Sequence, residues 1–198
     1  MYVSLLLDNT AFGGWGGALF CSTCENIALV NDSFTHNTAI SSYTFSAQGG
    51  AVMISFQSIA NITHCVFSNN TATSLMNTNP LTFSGSGGAL YMVSATLSMS
   101  NSMFEGNKAM TGQFDDGANG GAVLLEDVNA GSISHCHFIA NSAEGFYDFS
   151  SFASSGSGGA ISLKFSSLDI VHSSFEANWV SVGGTQMSIG GALACKYW

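Results

Sequence analysis

Apolar residues in this chain fall in short alternating runs at recurring places, not in long helical stripes. After each Gly-Gly-Ala the next residue is aliphatic: Leu19, Val52, Leu90, Val123, Ile161 and Leu193. Two residues on, Cys21, Ile54, Met92, Leu125, Leu163 and Cys195 are again apolar, while the residues between are mixed. A period of two with one uniform face predicts a strand with an inside and an outside. A second strand is predicted around the inward column Leu29, Ile62, Met99, Ile133, Ile170, whose neighbours Asn61, Ser98, Ser132 and Asp169 are polar. A third carries the Phe of a Phe-x-x-Asn motif. Its copies are Phe34/Asn37, Phe67/Asn70, Phe104/Asn107, Phe138/Asn141 and Phe175/Asn178, with a degenerate Leu6/Asn9 before them. Ala39, Ala72, Ala109 and Ala143 follow each Asn by two residues and keep that corner small; Val180 is the exception.

The first glycines of the pairs stand at 16, 49, 87, 120, 158 and 190, so the steps are 33, 38, 33, 38 and 32 residues. From the second Gly to the Phe is always 16 or 17 residues, whereas the Phe to the next such Gly varies between 16 and 21. Length variation is therefore confined to one loop. Copies in phase predict stacking of each strand on its own copy, about 4.8 Å away. The expected fold is all-β: a right-handed, single-stranded parallel β-helix, a solenoid of the pectin-lyase-like kind. About six coils of 33–38 residues form one domain over 1–198. The coils run 1–15 (partial), 16–48, 49–86, 87–119, 120–157, 158–189 and 190–198 (partial). The Phe column should stack inside the cylinder and the Asn column should form an amide ladder. The Gly pair suits a sharp corner or a place where a Cβ would strike the wall. Antiparallel meanders are the weaker alternative, since hairpins would not hold identical residues in phase at this step.

Composition removes several functions. The chain has three basic residues, Lys108, Lys164 and Lys196, no Arg, and a net charge of −9. Nucleic acid wants a basic footprint, and anionic lipid is equally disfavoured. Polar residues interrupt every apolar run well short of a membrane span. A lyase on this fold would need a basic proton acceptor, and a glycosidase needs converging carboxylates. The acidic pairs Asp115-Asp116 and Glu126-Asp127 put neighbours on opposite faces and read as solvated loop edge. No catalytic residue, metal site or cofactor is expected. The five cysteines, Cys21, Cys24, Cys65, Cys136 and Cys195, are read as isolated thiols, with the lone Cys21-x-x-Cys24 weak as a zinc or redox site. The column Asn31, His64, Asn101, His135, His172 is read as a polar corner cap, not a metal centre.

Gly-Gly-Ala-[Ile/Leu/Val] alternating with Phe-x-x-Asn resembles the repeats of the chlamydial polymorphic outer membrane proteins, over essentially Leu6 to Leu193. The resemblance implies an extracellular passenger β-helix at the cell surface or secreted, with adhesion associated with the Phe-x-x-Asn repeats. Those ten residues are accordingly candidates for adhesion or for the ladder. The family's signal sequence and C-terminal barrel are not read here, which makes a segment of a longer protein the expectation. Expected partners are a cell-surface protein or glycan ligand, with no nucleic acid and no direct membrane insertion, plus end-to-end self-association through open strand edges. Phe83, Phe146, Tyr147 and Phe149 in the long loops are candidate anchors, unless those loops fold back over the wall or add a fourth strand. The alternatives are a polysaccharide lyase- or hydrolase-type β-helix fragment lacking its catalytic residues, and a purely structural spacer.

Overall fold

Strand-forming residues return at a constant phase, and the computed structural model shows what that phase builds. It describes residues 4–41, 46–75, 84–111, 117–145, 156–182 and 188–196. These are all-β, every ladder is parallel, and the chain winds into a β-solenoid. The post-glycine sheet has six strands: Leu19–Ser22, Val52–Ser55, Leu90–Val93, Val123–Glu126, Ile161–Lys164 and Leu193–Lys196. The middle sheet has five: Ile27–Val30, Ile59–Thr63, Thr96–Ser100, Gly131–Ser134 and Leu168–Val171. The phenylalanine sheet has six: Leu5–Leu7, Ser33–Thr35, Val66–Ser68, Met103–Glu105, His137–Ile139 and Ser174–Glu176. Register is in phase throughout, with Phe67 paired to Phe34 and Phe104, and Ile62 to Leu29 and Met99. Six motif copies define only five strand-to-strand steps here, so the coil count is somewhat below the six expected.

The three inward faces meet in one apolar core that includes Phe34, Phe67, Phe104 and Phe138, all at most 1% exposed. The rings stack with centroids 4.6–5.0 Å apart from Phe34 through Phe175. Burying each contributes roughly 1.5–3 kcal/mol.

The cross-section has more strands than the three expected. The alanine column does not close a corner; it lies on a fourth sheet of six strands, Thr10–Phe12, Thr38–Ser41, Thr71–Ser74, Lys108–Thr111, Ser142–Gly145 and Trp179–Val182. Thr38-Ala39-Ile40-Ser41 alternates buried and half-buried positions as a strand should. The chain then returns through two-residue strands, Ala47–Gln48 on Gly85–Ser86 and Gly156–Ser157 on Ser188–Ile189, bridged by Asn119. This return column packs on the alanine sheet with almost no side-chain filling. A Cβ on Gly85 would lie 2.0 Å from the carbonyl oxygen of Met110. Ala109, Ala118 and Ala143 form their own small buried cluster there.

Four corners per coil turn through left-handed backbone. One is always the first Gly of the pair, φ +51° to +64° from Gly16 to Gly190. The second Gly has ordinary φ but, from Gly17 to Gly159, no room: a Cβ on Gly50 would come within 2.0 Å of the Gly88 carbonyl. Another corner is the column Asn31, His64, Asn101, His135, His172, with φ between 48° and 58°. Asn and His are among the side chains that tolerate this region best, which explains the column's composition.

Candidate functional site

The Phe-x-x-Asn motif builds an interior ladder. Each Asn side chain sits where the phenylalanine strand ends, so its carboxamide faces its own copies along the axis. Asn107 Nδ2 donates to Asn141 Oδ1 in the next coil at 2.9 Å and to the Phe67 carbonyl in the previous one at 2.9 Å. Its Oδ1 accepts from the Asn70 backbone N–H at 3.0 Å and from Asn70 Nδ2 at 2.9 Å. The same pattern runs from Asn9 through Asn37, Asn70, Asn107 and Asn141 to Asn178. Both donors and both acceptor sites of each interior carboxamide are used. Asn37, Asn70, Asn107 and Asn141 are 0% exposed. Eight of the ten motif residues are therefore sealed from solvent, and Phe175 and Asn178 are half-buried. A ligand outside the wall cannot touch the sealed ones, so the motif acts by shaping the scaffold.

The loop candidates Phe83, Phe146, Tyr147 and Phe149 lie outside the described residues, as does Asp115-Asp116. Of the other acidic pair, Glu126 is half-buried and accepts the Tyr91 hydroxyl at 2.8 Å. Burial, reinforced by the Glu126 carboxylate, pushes the Tyr91 phenol far above its usual range. Asp127 is exposed at a corner with φ 53°. Among the described residues no group of three or more His, Cys, Asp or Glu is placed to hold a metal ion. His135 and His172 lie next to each other in adjacent coils, with ring centroids 5.1 Å apart and planes tilted by 31°. Lys108 pairs with Glu144 across adjacent alanine strands.

The cysteines differ from the expectation at one place. Thr23, φ 58°, folds the chain back just after the first post-glycine strand, and Cys21 and Cys24 are joined as a disulfide with Cα atoms 6.1 Å apart, inside the usual span. Cys65, Cys136 and Cys195 are free thiols. Burial raises the first two above the ordinary thiol value. Cys65 and Cys136 occupy a cap column in which Ser102 and Ser173 use their hydroxyls to accept the neighbouring coil's backbone N–H.

One recess opens on the outside, at the corner between the post-glycine and middle sheets. Register shows why. Val93 pairs with Ser55 and Glu126, and Thr96 pairs with Ile59. Two residues, Ser94 and Ala95, thus turn this corner in one coil. The coil before uses three, Phe56 to Ser58, and the coil after also uses three, Asp127 to Asn129, since Gly131 pairs with Leu97. A short corner between two long ones leaves a notch of about 570 Å³. Ser94, Ala95 and Thr96 line it in the short coil, Gln57 and Ile59 on one side, Asp127 and Asn129 on the other. This column was missed in the sequence because Thr23, Phe56, Ser94, Asp127 and Phe165 share no residue type, only a left-handed φ.

Compared with known proteins, residues 64–92 match the family model of the Chlamydia polymorphic membrane protein repeat. The matched segment runs from the corner residue His64, through Phe67, Asn70 and the Gly87-Gly88 pair, to Met92, so one full pass from motif to motif is of this repeat type. No curated protein and no solved structure matches the chain.

Proposed function

We propose that this chain is a non-enzymatic, adhesin-like passenger segment that works at a cell surface by presenting an outer face to a surface protein or glycan. The observation that carries the reading is the combination of a polymorphic membrane protein-type repeat with a parallel solenoid whose motif residues are consumed in holding it together. A rigid ladder with variable segments at one edge is the arrangement in which binding is delegated to the surface and stability to the interior. The long loops bearing Phe83, Phe146, Tyr147 and Phe149 are the proposed anchors on that edge, and end-to-end association through open edges is proposed alongside.

The test is saturable binding of the labelled chain to cultured host-type cells, before and after protease or glycosidase treatment of the cells. Saturable binding that Phe146→Ser/Tyr147→Ser/Phe149→Ser reduces, with the circular dichroism spectrum unchanged, supports the reading. A chain that binds no cell type at micromolar concentration overturns it.

A further inference from the structure

We infer that the notch over Ser94–Thr96 binds one sugar unit of a neutral glycan. The inference deepens the proposed surface-binding reading and rests on it. Three observations converge.

The first is shape. The rims are two strand spacings apart, roughly 9.6 Å, and a volume of about 570 Å³ falls within the range of small-molecule sites. The recess is open to solvent, which suits a ring entering while the rest of its chain stays outside.

The second is chemistry. Gln57 and Asn129 bring amides, Ser94 and Thr96 hydroxyls, and Asp127 a carboxylate. Donors and acceptors are thus intermixed around the exposed Ile59, a small apolar patch. Sugar hydroxyls need both kinds of partner, and a sugar's C–H face needs the patch. The recess holds one carboxylate and no cation, and the chain carries −9. An acidic saccharide would be repelled, so the ligand is neutral.

The third is strain. Phe56 and Gln57 are consecutive non-glycine residues in left-handed backbone, φ 49° and 56°, the one such pair among the described residues, and Gln57 is exposed and lines the notch. The same corner in the other coils uses a single left-handed residue, so the second is an added backbone cost, and its exposure means packing does not compensate. Backbone cost without a packing return is the signature of a residue kept for another task, here a side-chain amide on the rim of the notch.

Phe165 supplies the control. It stands in the same corner column with φ 49° and is 45% exposed, yet it lies outside the notch. The experiment uses the full chain, a printed array of neutral and sialylated glycans, and saturation-transfer NMR with methyl glycosides of neutral monosaccharides. The expected result is a neutral-glycan signal that Gln57→Gly weakens about tenfold or more while thermal stability rises. Thr96→Trp, which fills the floor from an exposed position, should abolish the signal. Phe165→Gly should raise stability in the same way and leave binding unchanged.

Neutral-glycan binding that survives Gln57→Gly and Thr96→Trp overturns the notch. If the signal is then lost in the Phe146/Tyr147/Phe149 triple variant, the loops hold the glycan and the surface-binding reading stands. Cell binding with no neutral glycan bound by the native chain, or a preference for sialylated glycans, also overturns the sugar site and leaves that reading intact.

Discussion

Replacing Asn107 by Ala removes the centre of the amide ladder and sets a number on it. Four hydrogen bonds go: Nδ2 to the Phe67 carbonyl, Nδ2 to Asn141 Oδ1, and the two that Oδ1 receives from Asn70. Asn141 Oδ1 keeps the Asn107 backbone N–H, at 3.0 Å. The Asn70 backbone N–H, one Asn70 amide hydrogen and one Phe67 carbonyl lone pair are then left without partners in a region at 0% exposure. A buried orphan costs about 1–3 kcal/mol; with partial relaxation the three together cost about 3–6 kcal/mol. Asn178→Ala should cost less than half of that, because Asn178 is the half-buried last rung and water can enter the space its side chain leaves beside Asn141 and the Phe138 carbonyl. Asn107→Asp should be no better than Ala. Its second oxygen would face the Phe67 carbonyl and Asn141 Oδ1, acceptor against acceptor, and a buried carboxylate must also shed its charge. Equilibrium urea unfolding followed by circular dichroism reads the loss. Hydrogen exchange at the Asn70 amide reads it locally, which matters because repeat arrays need not unfold as one unit. An Asn107→Ala chain less than about 1 kcal/mol weaker than the parent, with the Asn70 amide still protected, would refute the saturated ladder as a source of stability.

Gly88→Ala should cost several kcal/mol or abolish soluble expression, because its Cβ would sit 2.0 Å from the Gly121 carbonyl; Gly191→Ala meets only the Asn178 carbonyl at 3.6 Å, an ordinary contact, and should express normally. In an alkylation time course at pH 8, Cys195 should react within minutes. Cys65 and Cys136, buried with raised pKa values, should react only in denaturant; mass spectrometry counts the adducts. Tyr91 is held protonated in the fold, so its contribution is complete below the free phenol value of 10.0 and is lost as pH climbs above it. Unfolding free energies from urea titrations should therefore fall with rising pH by up to about 1.4 kcal/mol per unit above 10. The slope should be shallower in Tyr91→Phe, and equal slopes would show that the buried phenol is not linked to folding.

Much of the scaffold was legible because stacking makes a column of like residues visible as a period in the chain. The inward positions, the Phe stack and the Asn ladder all follow from phase alone. What was not legible turns on backbone conformation or on neighbours one coil away. Ala39, Ala72, Ala109 and Ala143 look like a tight corner until the return strand packs against them; the alternation of Thr38–Ser41 was the available signal for a strand. The Cys21–Cys24 pair depends on a left-handed Thr23, which no propensity favours. The notch depends on a one-residue difference between corners at Ser94 and at its neighbours. Sequence spacing blurs that difference, because the loop beyond the alanine strand varies by more.

The return strands have a consequence for how such a wall can vary. Between Ser41 and Ala47 the chain spends five residues, and between Ser74 and Gly85 it spends ten, yet Ala47 and Gly85 still meet in register. The excursion is clamped at its base by alanines and glycines that admit no slippage. New segments could be spliced in beyond Ser41, Ser74 or Thr111 as though into a socket, their length and composition drifting freely while every coil beneath keeps its place.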